Sequence, residues 1–328
     1  MHALILGAAG MIGRRLTHAL VAEGRVGGEP LSALTLIDVV LPDVPEGFAG
    51  PVRADGADLS APGVAEAAIR DRPGVIFHLA AVVSGEAEAN FELGYRVNLD
   101  ATRSLFEAIR ATHAADGYHP RVVFTSSLAV FGPPFPKIIP DDFSLRPATS
   151  YGAQKAMGEL LLADYTRRGF FDGIGLRLPT ICVRPGKPNR AASGFFSGII
   201  REPLSGQPAV LPVPDTVRHW FASPAAAVGF LTHAAGLDPA QLGSRRSLTM
   251  PGVSATVAEE IEALRRAAGE AAVALIRREP DALILRIVET WPEAFDAVSA
   301  AELGFRADAS FDAIVARHVA EVHGGTAA

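Results

Sequence analysis

Tyr151 and Lys155 stand four residues apart in Tyr-Gly-Ala-Gln-Lys, at the start of a segment that reads as a helix over residues 150–168. That spacing puts both side chains on one helical face. A phenol with a reference pKa of about 10 is a poor base at neutral pH, and a cation one turn away favours the phenolate. Such a tyrosine can exchange a proton with a substrate hydroxyl as general base or acid. Alone, the pair recurs by chance on solvated helix faces. Its force comes from Phe124-Thr125-Ser126-Ser127, which ends an apolar strand-like run and places Ser127 24 residues before Tyr151. Ser127 is the expected orienter of the substrate oxygen, and Ser126 is expected on the side of a cofactor.

A second constellation lies at the N-terminus. Gly7-Ala8-Ala9-Gly10-Met11-Ile12-Gly13 spaces three glycines between an apolar run and a helix-like segment. Glycine allows the tight turn and lets the backbone approach a pyrophosphate, and the helix N-terminus offers free N–H groups. Asp38 falls at the end of the next apolar run, 25 residues after Gly13. A carboxylate there accepts bonds from the adenosine ribose hydroxyls and repels a 2′-phosphate. Val39 and Val40 follow it, with no adjacent arginine. NAD is therefore preferred to NADP. Asp58 and Leu59 are placed to flank the adenine, although Asp58 with Ser60 and Pro62 equally suits a helix start. Leu79, Ala80 and Ala81 end a fourth strand, where small residues let a dinucleotide pass close to the backbone. His78, on an apolar strand, reads as a core histidine.

The elements that must hold these groups alternate. Strand-like runs at 3–6, 34–40, 74–81, 121–126 and 174–178 are separated by helix-like segments at 11–23, 64–70, 91–115 and 150–168. That alternation predicts an α/β fold, a doubly wound parallel sheet of Rossmann type with helices on both faces. After about Pro179 the pattern loosens into loops rich in Pro and Gly. We expect residues 1–180 to bind the dinucleotide and 181–328 to form mainly a substrate-binding cap, with about 215–235 returning to the first domain. A helix-like stretch at 257–268 and a short apolar segment at 283–288 belong to that cap.

Composition sets limits. The 328 residues hold 30 Lys+Arg against 36 Asp+Glu, a net charge of −6, which disfavours a nucleic-acid partner. Cys182 is the only cysteine. No intramolecular disulfide or multi-cysteine metal site is possible, none of the site residues is a metal ligand, and the cytoplasm is the expected compartment. No run approaches the roughly 18 apolar residues of a membrane helix. The apolar N-terminus lacks a charged region before it, and reads as a buried strand and turn.

Taken in order, GAAGMIG, Asp38, HLAA, Asn98, SSLAVFG, YGAQK and LRLPTICVRPG resemble the extended short-chain dehydrogenase/reductase family, also termed the NAD-dependent epimerase/dehydratase family, over essentially the whole chain. The resemblance implies a Rossmann domain with a C-terminal cap and a catalytic set of Ser127, Tyr151 and Lys155, supported by Asn98. It places Pro179 to Cys182, Ile181 among them, beside the nicotinamide, and it implies a homodimer built on the segments 91–115 and 150–168. Sugar dehydratases of this family carry Asp-Glu after the catalytic Ser/Thr, whereas Leu128-Ala129 stand here. That elimination chemistry lacks its acid and base. The segments at 80–98, 176–204 and 213–220 resemble members that act with NAD on a four-carbon sugar acid. They imply oxidation of the C2 hydroxyl of D-erythronate to 2-dehydro-D-erythronate.

A small carboxylate needs a cation. Arg184, Lys187, Arg190 and Arg218 all fall in the cap loops. Arginine offers a planar fork for two oxygens, and Arg218 or Arg190 is the expected partner, with Ser84 as a donor to a substrate oxygen. Two other readings stay open: a nucleotide-sugar epimerase that retains its NAD, and a dinucleotide-sensing protein without turnover. The sensor has no need of Tyr151 and Lys155.

Overall fold

The computed structural model describes residues 1–186 and 192–323. Its central sheet has seven strands, all parallel: β1 (His2–Leu6), β2 (Ala33–Asp38), β3 (Val52–Gly56), β4 (Val75–His78), β5 (Arg121–Ser127), β6 (Asp172–Leu178) and, far along the chain, a strand at Ser247–Thr249. Across the sheet the order is β3-β2-β1-β4-β5-β6 and then Ser247–Thr249. The order reverses between β1 and β4, and ligands of doubly wound sheets bind in the crevice at that point. The fold class is the one expected from the alternation. Strands buried on both faces must be apolar throughout, and Ala3, Leu4, Ile5 and Leu6 are each at most 1% exposed.

Helices cover both faces. They include α1 (Met11–Glu23), α2 (Val64–Ala68), α3 (Ser84–Ala89), α4 (Phe91–Gly94), α5 (Ala101–Asp116) and α6 (Ser150–Arg167). One core lies beneath α1, a second beneath α5 and α6. Beyond β6 the chain makes β7 (Thr180–Ile181), α7 (Gly194–Leu204), β8 (Arg218–Ala222), α8 (Pro224–Gly236), β9 (Ser247–Thr249, the seventh strand above), β10 (Val253–Thr256) and α9 (Val257–Val273). β8 pairs with β7 on one side and β10 on the other. α8 packs on α1 and β9 pairs with β6, so both belong to the first layer. A third core joins α7, α9 and the last helix, Phe311–His323.

Several elements depart from the sequence expectation. The predicted helix over 91–115 is two helices joined by a π-helical turn at Tyr95–Asp100, with α3 added before it. The strand expected over 34–40 ends at Asp38, and Val39 and Val40 are 69% and 62% exposed. The helix expected to stop at 268 runs on to Val273 across a kink at Gly269. The apolar segment at 283–288 is helical, over Ala282–Val288. No helix among the described residues is long and apolar enough to cross a membrane.

Candidate active site

The glycine loop joins β1 to α1 at the switch point. Gly7 has φ +88°, and a Cβ there would lie 2.7 Å from the Ala80 nitrogen. The loop therefore sits against the chain leaving β4, bringing Leu79 and Ala80 beside it. The N–H groups of Gly7 and Ala8 donate to the Ile37 carbonyl at 2.8 and 3.2 Å. Gly10 caps α1 without a side-chain bond, and no acidic residue occupies the first turn, which contains Met11, Ile12 and Gly13. The positive helix end is thus left for an anion. Asp38 accepts from the Ala9 N–H at 3.0 Å and the Val39 N–H at 2.7 Å. Its carboxylate is fixed at the lip of the same loop, the arrangement a dinucleotide with free ribose hydroxyls requires. Asp58 is bound instead within its own turn, by the Ser60 N–H and hydroxyl, which hold its carboxyl below the usual range. Leu59 is 7% exposed and lies in the core.

At the carboxyl end of β5 the chain turns through Leu128–Val130, and the Ser127 hydroxyl accepts from the Ala129 N–H at 3.2 Å. α6 begins directly against this turn. Thr149 caps it, accepting from the Gly152 N–H at 3.1 Å. A Cβ at Gly152 would fall 2.0 Å from the Ala129 carbonyl, so only glycine lets the helix approach this closely. Tyr151 and Lys155 are thereby brought next to Ser127. Burial pushes the Tyr151 phenol up, while the Ser127 hydroxyl and the Arg184 guanidinium act the other way.

Lys155 is 2% exposed. Its ammonium donates to the Thr125 carbonyl at 2.9 Å and lies 5.8 Å from the Tyr151 ring centre. Burial pulls its pKa down to about 8, against a smaller upward pull from Glu159. Its ammonium is held by a backbone carbonyl, and the Arg184 guanidinium is a second cation that favours the Tyr151 phenolate.

Sequence reasoning missed the support beneath these groups. Glu159, one turn beyond Lys155, is buried and pairs with Arg177 of β6 through Nε at 3.0 Å and Nη2 at 2.8 Å. Ser126 donates its hydroxyl to the same carboxylate. The i, i+4 series 151, 155, 159 was the available signal. Asn98 lies in the π-helical turn. Its side chain accepts from the Val82 N–H at 2.9 Å and donates to the Gln154 side-chain oxygen at 2.7 Å. It ties the loop after β4 to α6. Gln154 also escaped notice, and its amide nitrogen is buried without a partner among the described residues. His78 is buried on Thr102, at 2.8 Å, and burial takes its pKa down to about 3.

The remaining candidates are more dispersed. Ser84 opens α3, half-buried, two residues after the clamped Val82. Pro179 and Ile181 are buried where the chain leaves β6, whose Leu178 is the register partner of Ser127. Arg218 meets Glu259 at 3.3 Å and Ser254 at 3.2 Å, so the protein already supplies its anion. Arg190 lies outside the described residues. Among the described residues no group of three or more His, Cys, Asp or Glu is placed to hold a metal.

A parallel sheet with a glycine loop at its switch point and a Ser, Tyr and Lys cluster at its carboxyl edge defines a nucleotide-dependent α/β fold. The chain belongs to the NAD dependent epimerase/dehydratase family, which it matches over residues 3–223. It is 51% identical over 319 residues to a D-erythronate dehydrogenase of Cupriavidus necator, covering 96% of this chain and 97% of the relative. It is 41% identical to a D-erythronate dehydrogenase of Haemophilus influenzae, covering 97% and 99%. A crystal structure described as a nucleoside-diphosphate-sugar epimerase from Agrobacterium tumefaciens superposes with a TM-score of 0.97 at 63% identity, covering 99% of this chain and 95% of that one.

Proposed function

We propose that this chain is an NAD-dependent dehydrogenase that oxidises the C2 hydroxyl of D-erythronate to 2-dehydro-D-erythronate. The observation that carries the reading is the near-full-length identity to two D-erythronate dehydrogenases. Gly7, Gly10, Met11, Ile12 and Gly13 would hold the pyrophosphate, and Asp38 the adenosine ribose. Leu79, Ala80, Ala81, Pro179 and Ile181 would line the path to the nicotinamide, with Asp58 and Leu59 at the adenine end. NAD, when bound, supplies the hydride acceptor.

The residues of this chain do the rest. Ser127, its hydroxyl oriented by the Ala129 N–H, holds the C2 oxygen. Tyr151 takes the proton from that oxygen, a general-base contribution of about 10²–10⁴-fold. Lys155 keeps a positive charge near the phenol and toward the ribose hydroxyls. Ser126 braces this end of β5 through Glu159, Asn98 fixes the wall opposite α6, and Ser84 contributes a donor to the substrate. The free, buried Cys182 supports a cytoplasmic setting. Exposed Leu160 on α6 and Phe91 on α4 support a homodimer through those faces.

The epimerase description of the Agrobacterium structure favours a second reading, in which NAD stays bound and no net NADH forms. Purified protein with NAD and D-erythronate, L-erythronate, D-threonate or L-threonate decides between them. NADH absorbance rising with D-erythronate alone is the expected result. Silence across the panel, with NAD demonstrably bound, refutes the dehydrogenase reading and turns the assay to nucleotide sugars.

A further inference from the structure

Buried charges are ordinarily paired, because an uncompensated ion in a desolvated site is costly. Every other described arginine that is not exposed meets an Asp or Glu oxygen within 3.3 Å. Arg184 does not. It is half-buried, and no carboxylate among the described residues reaches it. Residues 187–191 and 324–328 contain no Asp or Glu to add one.

The side chain is nevertheless built into place. Its Nε donates to the Ile181 carbonyl at 2.9 Å and its Nη2 to the Ser193 hydroxyl at 2.9 Å. Its backbone N–H donates to the Ser197 hydroxyl at 3.0 Å, and its carbonyl accepts from Arg201 at 2.7 Å. No described residue accepts a bond from Nη1. The anchoring carbonyl, that of Ile181, lies three residues beyond Leu178, the register partner of Ser127. The guanidinium and the Tyr151 phenol lie close enough to perturb one another's charge.

We infer that Arg184 receives the carboxylate of the substrate and thereby selects acids over neutral polyols at the Ser127–Tyr151 site. This rests on the dehydrogenase reading above. The anion missing from the guanidinium is the one the substrate brings, and it would sit on the C1 side of the hydroxyl that Tyr151 deprotonates. Neither Arg218, already held by Glu259, nor a pyrophosphate at the glycine loop meets that requirement.

The test compares wild type, Arg184→Met and Arg184→Lys on D-erythronate and on its neutral amide. Calorimetry with 3,4-dihydroxybutanoate, which lacks the reacting hydroxyl, is run on the NADH complex. In the Met variant, kcat/KM for the acid should fall about 10²-fold or more, as for other truncated buried charge pairs. Turnover of the amide should also fall, because Arg184 acts on the Tyr151 phenol, but by at least about 10-fold less than that of the acid, and binding of dihydroxybutanoate, which carries the carboxylate without the reacting hydroxyl, should weaken as well. The Lys variant should restore part of both. NAD affinity and melting temperature should hold. Equal losses on acid and amide would assign Arg184 to the phenolate alone, and weakened NAD binding would assign it to the cofactor. A charge-selective loss confined to Arg190→Met would move the subsite there. Each of these overturns the inference. A wild type inactive on D-erythronate refutes the functional reading itself, before any variant is made.

Discussion

Replacing Lys155 by methionine should make the protein more tolerant of neutral pH while removing its activity. Lys155 is 2% exposed, and burial takes its pKa from 10.5 to about 8. That difference corresponds to about 3 kcal/mol of disfavoured charge in the folded state. Below about pH 8 the lysine is charged in both folded and unfolded chains, so the folded protein carries the whole cost. Between about 8 and 10.5 the folded state releases its proton first, and stability rises with pH. Above 10.5 both are neutral and the cost is gone. Methionine carries no such term. The stability of Lys155→Met relative to wild type should therefore be greatest near pH 7 and decline by about 3 kcal/mol toward pH 10.5. Orphaning the Thr125 carbonyl costs about 1–3 kcal/mol at every pH, so the variant at pH 7 should range from equally stable to about 2 kcal/mol more stable. Urea unfolding followed by circular dichroism at pH 7, 8.5 and 10 measures this directly. A difference between the proteins that does not change with pH would show that Lys155 titrates as an ordinary lysine, and the argument fails.

Tyr151→Phe should leave NAD binding nearly intact and lower turnover by at least about 10²-fold, which single-turnover NADH formation measures; turnover near wild type would sink the assignment. Asp38→Ala should weaken NAD binding about 10-fold, as expected for lost charge-assisted bonds, and narrow the preference for NAD over NADP in paired titrations. Glu159→Gln should cost about 3–5 kcal/mol in urea unfolding, because it strands the buried Arg177. It should also move the pH-dependent stability of Lys155 to lower pH, since Glu159 is what holds that lysine's pKa up.

The parts legible in the sequence are those whose chemistry is local. A glycine loop announces itself because its three glycines, its strand and its helix are contiguous. Tyr151 and Lys155 share a face by helical spacing alone. Ser127 needed one further step, from a strand end to the edge of a sheet. The π-helical turn at Tyr95–Asp100 left no trace, since nothing in the apolar pattern of 91–115 says that Asn98 must reach the backbone of Val82. The Glu159–Arg177 pair was equally hidden. It exists because β5 and β6 align Ser126 with Arg177 and α6 lays Glu159 over both.

The arginines show why charge is the hardest feature to assign from sequence. Four cations fall in the cap loops, and residue type sets only Lys187 apart, leaving the three arginines unseparated. Arg218 looks available until the fold sets it beside Glu259, itself held by the Thr256 cap at the start of α9. Arg184 looks like one loop residue among several until the fold leaves it, among the described residues, without an anion near the phenol proposed as the base. What identifies it is the absence of a carboxylate in a place where desolvation demands one. A substrate that carries its own negative charge into the site would complete the pair, and a neutral polyol would leave the cation bare.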